Sequence, residues 1–206
     1  MDLEQTRGML VAICDAISAN VDLLTKADQA IGDGDHGVGM QRGFNAAKGA
    51  ILACAPTRVG DLFTAGGAAI IATSGGASGV IFGMMLRAPG RVLAGDLFDA
   101  EGFAVWLEQA AQQIQTRGKA APGQKTMVDA LVPAAAAARG AVGDGLLATA
   151  RAAAAAAHEG KDATVDMVAK FGKAKALGDR ALGHPDPGAI STTIILDTAL
   201  AYLEAL

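Results

Sequence analysis

The residues with the most chemistry in this chain stand between positions 28 and 37. The run is Asp28-Gln29-Ala30-Ile31-Gly32-Asp33-Gly34-Asp35-His36-Gly37. Carboxylates placed this close repel one another unless a cation holds them. Hard oxygen donors of this kind suit Mg2+ or Ca2+ rather than a soft metal. In an extended strand Asp33 and Asp35 would share one face while Asp28 pointed elsewhere. Gly32 and Gly34 permit backbone angles that other residues avoid, so a tight turn can bring all three acids round one ion. A helix is expected directly afterwards, with Met40, Phe44, Ala47 and Ile51 at helical spacing. The N–H groups at its start would face the ion, where a phosphate could bind both. The plainer reading is an acidic turn that caps a helix. An EF-hand fits less well, because the alternate acid spacing and the closing glutamate are missing.

Three more segments share this character: each is rich in small or polar residues and each opens a helix. Thr73-Ser74-Gly75-Gly76-Ala77-Ser78-Gly79 offers backbone N–H groups that an anion can approach without intervening side chains. Arg117 to Met127 ends in Gly123-Gln124-Lys125-Thr126-Met127. This is not a Walker A loop, since Gln124 separates the glycine from the lysine and no strand precedes it. Gly183-His184-Pro185-Asp186-Pro187-Gly188-Ala189 is a helix start, with Asp186 as cap and Pro187 at the first position.

The elements that must position these loops are helices. Leu10, Ile13, Ile17, Val21 and Leu24 step by three or four, as do Phe103, Leu107, Ala110 and Ile114. Ile195, Ala199, Tyr202 and Leu206 line one side of the last segment. Convincing period-2 strands are absent. The periodicity predicts helices near 3–27, 37–53, 60–73, 79–88, 98–117, 126–139, 145–158, 162–170 and 187–205. No long linker divides the chain, which reads as one all-α domain over residues 1–206. The alanine tracts at 134–138 and 152–157 are strong helix formers and allow close helix contacts. In an antiparallel bundle alternate connections lie at the same end, so the four loops can meet. Each helix start is worth about 0.3–1 kcal/mol toward a nearby anion.

Composition narrows the function classes. The chain has 206 residues, 51% of them hydrophobic, but only 4% aromatic, so aliphatic side chains and alanine must fill the core. The net charge is -4 from 17 basic and 21 acidic residues, with no basic run, which argues against nucleic-acid binding. No uninterrupted apolar stretch is long enough to span a bilayer, and the opening Met1-Asp2-Leu3-Glu4 shows no secretory signal. Cys14 and Cys54 have no metal-ligand spacing and read as reduced residues of a cytoplasmic protein.

The four segments together resemble the L subunit of dihydroxyacetone kinases and the equivalent domain of the single-chain kinases. The resemblance rests on Asp28-x-x-Ile-Gly-Asp-Gly-Asp-His-Gly, Ser-Gly-Gly-Ala-Ser-Gly, Pro-Gly-x-Lys-Thr-Met-x-Asp and Gly-His-x-Asp-Pro-Gly-Ala, in that order. It runs from Asp28 to about Thr193. It implies a barrel of about eight antiparallel amphipathic helices with a nucleotide at one end. It implies that Asp28, Asp33 and Asp35 hold two Mg2+ ions that bridge to the phosphates of ADP or ATP. His36, Gly37, Val38 and Gly39 would lie at those phosphates, and Ala77 and Ser78 at the glycine-rich contact. Gly123, Thr126, Met127 and Lys173 would line the nucleotide, and Asp186, Pro187 and Gly188 would form the last contact loop. Three positions depart from the family pattern. Gly39 replaces a frequent asparagine, Gln124 a frequent aspartate, and Lys173 a frequent arginine. Lysine keeps the charge but loses the bidentate fork.

The resemblance implies phosphoryl transfer to dihydroxyacetone or a related small ketose such as erythrulose. The chain shows no nucleophile constellation of its own and no certain catalytic residue. This fits the family, in which a separate K subunit holds the substrate on a histidine. The expected partners are that K subunit and a phosphodonor subunit of the phosphotransferase system, if ADP is rephosphorylated in place rather than exchanged for ATP. The other readings are a nucleotide-loaded adaptor that binds a transcription regulator, and a metal-dependent phosphohydrolase with His36 as base. No membrane or nucleic-acid partner is expected.

Overall fold

The computed structural model describes residues 1–206, and every regular element is helical. The nine α-helices are α1 (Leu3–Ala19), α2 (Val21–Ile31), α3 (His36–Ala53), α4 (Val59–Thr73), α5 (Gly76–Arg87), α6 (Ala100–Gly118), α7 (Val128–Gly140), α8 (Leu146–Ala163) and α9 (Pro187–Glu204). Helices α1, α3, α4, α5, α6, α7, α8 and α9 each pack on the next, and α9 closes back on α1. This is the expected barrel of eight. Helix α2 stands outside the ring as an extension of α1, resting on α3 and α9.

Alternation of direction sorts the connections. Helices α2, α4, α6 and α8 end where α3, α5, α7 and α9 begin, so four connections share one end. The interior is closed by aliphatic side chains and one aromatic group. Phe63, Phe98, Phe103 and Trp106 are fully buried. Trp106 meets Phe63 and Phe103 edge-on, with ring centres 5.2 and 5.6 Å apart. Its indole N–H donates to the Met85 carbonyl at 3.0 Å, so burial leaves no polar group unpaired. No single helix is long and apolar enough to cross a membrane.

Two segments differ from the periodicity. The helix expected over 3–27 breaks at Asn20, where α1 and α2 meet at 57°. The Asn20 side-chain amide donates to the Ala16 carbonyl at 2.8 Å and competes with the backbone ladder. The expected helix over 162–170 is absent. Helix α8 runs on to Ala163, and the chain then continues in 3-10 turns at Thr164–Asp166 and Lys173–Ala181. The cause is tertiary. The Thr164 carbonyl, which a continuing α-helix would offer four residues on, accepts from the Met167 N–H at 3.2 Å in a 3-10 turn and from the Lys125 ammonium at 2.5 Å.

Candidate functional site

The four like-placed connections surround a pocket of about 630 Å³ at one end of the barrel. That volume suits a small-molecule ligand. Asp28 comes from the last turn of α2, and Asp33 and Asp35 from the loop before α3. One carboxylate oxygen from each lies within 4.8 Å of the others. The glycines make this possible. Gly34 has φ +79°, and any Cβ at Gly32 would run into the Asp28 carboxylate. The Asp28 carboxylate also accepts the His36 N–H at 3.2 Å. The Lys173 ammonium lies against Asp33 and 3.6 Å from Asp35. An all-oxygen donor set of three converging carboxylates fits a hard divalent cation such as Mg2+.

His36 ties three helix starts together. From the first turn of α3 its ring reaches Ser78 Oγ on α5 at 3.1 Å and Ser191 Oγ on α9 at 2.8 Å. Burial pushes its pKa down, against the smaller upward pull of Asp28. A neutral imidazole with both nitrogens engaged is a strut. It has no free nitrogen with which to activate water, which removes the feature that favoured a phosphohydrolase. The other histidines stand apart from the pocket lining. His158 pairs with Asp197 at 2.9 Å, where both are about half exposed, and His184 contributes its backbone carbonyl to Lys125.

The glycine-rich connection turns through Gly75 and Gly76, both at positive φ, and α5 starts at Gly76. Ala77 and Ser78 therefore sit in a first helical turn, with their N–H groups outside the intrahelical ladder. Ser74 is buried and donates to the Gly39 carbonyl at 2.6 Å, while Arg42 donates to the Ser74 carbonyl at 2.7 Å. On α7, the buried Asp129 carboxylate accepts from Thr126 N–H at 2.7 Å and Gly123 N–H at 2.5 Å. Asp186 caps α9 through Ala189 N–H at 2.8 Å. Asp186 keeps some surface at the pocket wall, yet protein atoms crowd it. That burial raises its carboxyl to about 7, with Asp129 adding to the shift and Lys125 opposing it.

Of the residues singled out from sequence, Asp28, Asp33, Asp35, His36, Val38, Gly39, Ala77, Ser78, Thr126, Met127, Lys173, Asp186, Pro187 and Gly188 line this one pocket. Gly37 and Gly123 do not. A Cβ at Gly37 would collide with Thr25 and the Val21 carbonyl, so this glycine serves the packing of α3 on α2. Gly123 lies on the exposed outside of its turn at φ +87°. Sequence reasoning missed Arg42, Lys125 and Phe171, which also line the pocket. Arg42 could have been found, since it stands one helical turn beyond Val38 and Gly39 on the same face. Phe171 carried no local signal, because it stands just past the helix expected over 162–170, outside the four polar loops.

Residues 30–201 match the family described as DAK2 domain. The chain is 34% identical over 210 residues to the Escherichia coli protein named "PEP-dependent dihydroxyacetone kinase, ADP-binding subunit DhaL", covering 99% of this chain and 100% of that one. It is 38% identical over 201 residues to an L-erythrulose kinase of Pectobacterium atrosepticum, covering 95% of this chain but 34% of the kinase. The chain thus spans the whole of one relative and about a third of the other. Among solved structures, the native dihydroxyacetone kinase of C. freundii superposes with a TM-score of 0.74 at 23% identity. That match covers 95% of this chain and 34% of the kinase, and it shows a shared fold.

Proposed function

The chain belongs to the DAK2 domain family, in its L-subunit type, and on that premise we propose that it is the Mg2+-nucleotide-binding subunit of a small-ketose kinase. It binds ADP or ATP in the pocket and delivers a phosphoryl group to dihydroxyacetone, or to a close relative of it, held on a partner K subunit. The observation that carries this reading is the convergence of three carboxylates and four helix starts on one pocket. Cation and phosphate need opposite charges, and the two kinds of feature lie side by side.

Asp28, Asp33 and Asp35 would hold the Mg2+, whose place is to neutralise phosphate charge when bound. We place one or two ions there, two being the number the family resemblance implies. The first turns of α3 and α5, which have no side-chain cap from the residue before them, would turn N–H groups toward the phosphates, whereas α9 starts at Pro187 and gives its Ala189 N–H to Asp186. The His36 strut keeps those turns at a set spacing. Thr126, Met127, Pro187 and Gly188 form the walls against which the rest of the nucleotide is oriented. Lys173, paired with Asp33, would supply a positive charge beside the phosphates. The two pocket groups that could act as a base are both engaged, the His36 ring with Ser78 and Ser191 and the Asp186 carboxylate with the start of α9. The chain therefore positions and shields the phosphoryl group, and the acceptor hydroxyl comes from the partner's substrate. Phosphoryl transfer needs little more from a protein than positioning and charge.

Likeness over 88% and 100% of two ADP-binding subunits of PEP-dependent dihydroxyacetone kinases supports a nucleotide that stays bound and is rephosphorylated in place by a phosphotransferase-system subunit. Likeness at 38% and 36% to L- and D-erythrulose kinases supports a four-carbon ketose as the second candidate acceptor. The choice between acceptors lies in the partner. The test is the nucleotide content of protein dialysed exhaustively with Mg2+ present, followed by transfer assays with a K subunit. Near-stoichiometric ADP, and ketose phosphorylation only when both proteins are present, are expected. Full-rate phosphorylation by this chain alone, or failure to bind either ADP or ATP, would sink the reading.

A further inference from the structure

Lys125 is the only lysine or arginine among the buried residues, with 1% of its surface exposed. It stands in the pocket wall. A buried ammonium demands partners. Two of its three donors go to backbone carbonyls, Thr164 at 2.5 Å and His184 at 2.6 Å. Asp186, Asp166 and Asp129 favour its charge through space, against a burial that disfavours it. The two carbonyls stand at opposite feet of one excursion, residues 164–186, which leaves α8 and returns to α9. The feet are joined to each other as well. Gly183 N–H donates to the Val165 carbonyl at 3.0 Å, and Asp186 N–H to Thr164 Oγ1 at 2.9 Å. Farther out, Lys170 N–H reaches the Gln124 carbonyl at 3.1 Å.

The excursion contains no α-helix and turns at Gly172 and Gly178 with positive φ. A segment with so little regular structure opens easily unless its attachments hold it. It nevertheless presents Phe171, Gly172, Lys173 and Ala174 to the pocket. We propose that Lys125 is a positioning residue that pins both feet of the 164–186 excursion and thereby sets how long a nucleotide stays in the pocket. The residence half of this rests on the function proposed above; the pinning does not.

Lys125→Met tests it. Methionine keeps a straight chain and bears the same backbone strain at φ +58°, but it offers the two carbonyls nothing. Hydrogen exchange on the nucleotide-free protein should show the 164–186 amides exchanging at least about tenfold faster, while peptides from α3 to α6 stay unchanged. With Mg2+ present, a fluorescent ADP analogue should dissociate at least about tenfold faster, with its association rate unchanged. Should the methionine variant fail to fold, Lys125→Gln keeps a shorter donor and should give intermediate values of both. Unchanged exchange in 164–186 overturns the pinning. Faster exchange with unchanged dissociation overturns the claim on residence. If the native protein binds no nucleotide at all, the function proposed above fails, and the exchange result still decides the pinning.

Discussion

The two ends of the barrel handle polar groups in opposite ways. At the end away from the pocket, charged and polar groups are matched with one another. Arg7 donates to the Ile51 and Cys54 carbonyls at 2.6 and 3.1 Å and so caps the end of α3. Arg139 grips Glu108 with two bonds of 2.7 Å and reaches Glu101 at 2.6 Å. Asp2 and Gln5 close a capping box, and the Met1 ammonium donates to the Phe98 carbonyl at 2.8 Å. At the pocket end three carboxylates face one another with a single lysine between two of them, and the starts of α3 and α5 have no side-chain cap from the residue before them, although Asp129 takes up the N–H groups of the turn before α7 and Asp186 caps α9. One end is finished by its own chemistry. The other keeps charge and N–H groups for something else, which is how a binding site differs from a structural cap.

The largest effect that would sharpen this contrast is on ligand binding. Asp35→Asn should weaken Mg2+-ADP binding beyond the roughly 10–100-fold that loss of an outer partner costs a metal site. Calorimetric titration measures this. The ligand-free protein should keep its helical circular dichroism and melt no lower than the native one, because one repelling charge has gone. A lower melting point with retained binding would mean that the acids are structural after all.

Next comes packing at the pocket end. Gly37→Ala should destabilise by about 1–3 kcal/mol in denaturant titration, since the added methyl must displace Thr25 or the Val21 carbonyl. Apart from any shift of α3, it removes no group from the pocket.

A smaller effect distinguishes the ends by pH. Asp186 holds its proton up to about 7 in the folded chain, well above the ordinary carboxylate value near 3.8. The folded state then binds more protons than the unfolded state between those values. Stability from this group therefore falls as pH rises through that window and levels off above it. His36 has the opposite sign, because its lowered pKa costs stability as pH falls below 6.5. Asparagine caps a helix as well as aspartate does. Asp186→Asn should accordingly raise the melting temperature of the ligand-free protein by a few degrees at pH 8 and leave it unchanged near pH 4.

The smallest effect belongs to the far end. Arg139→Met breaks an ion-pair group in which Arg139 is 38% exposed and its two partners more so. It should cost less than about 1 kcal/mol, weaken further with added salt, and leave Mg2+-ADP affinity within about twofold. A larger change in affinity would show that the two ends are coupled through α6 and α7.

Much of this molecule is legible in its sequence, and the limits follow a pattern. The helices with a clear apolar period, α3, α4, α6 and α9, fall within two or three residues of their expected bounds. The acidic turn is readable because Gly32 and Gly34 can serve few other purposes between aspartates. Arg42 was readable in principle from helical spacing. Lys125 is another matter. Its loop stands out for Gly123, Lys125 and Thr126, yet nothing local tells that the ammonium reaches across 39 residues of chain to Thr164 and 59 to His184.

By itself the sequence determined the helices, the order of the four polar loops, the acids that suit a hard cation, and the family. These are local properties, set by periodicity, capping and turn chemistry. Only the tertiary structure decided that α1 breaks at Asn20, that α8 stops at Ala163, and that Gly37 and Gly123 face away from the pocket. It also decided that His36 is a strut and that residues 164–186 form a pinned excursion. Each of these depends on which distant group claims a backbone carbonyl, a ring nitrogen or the space a Cβ would fill. That competition is settled only when the ring of helices closes.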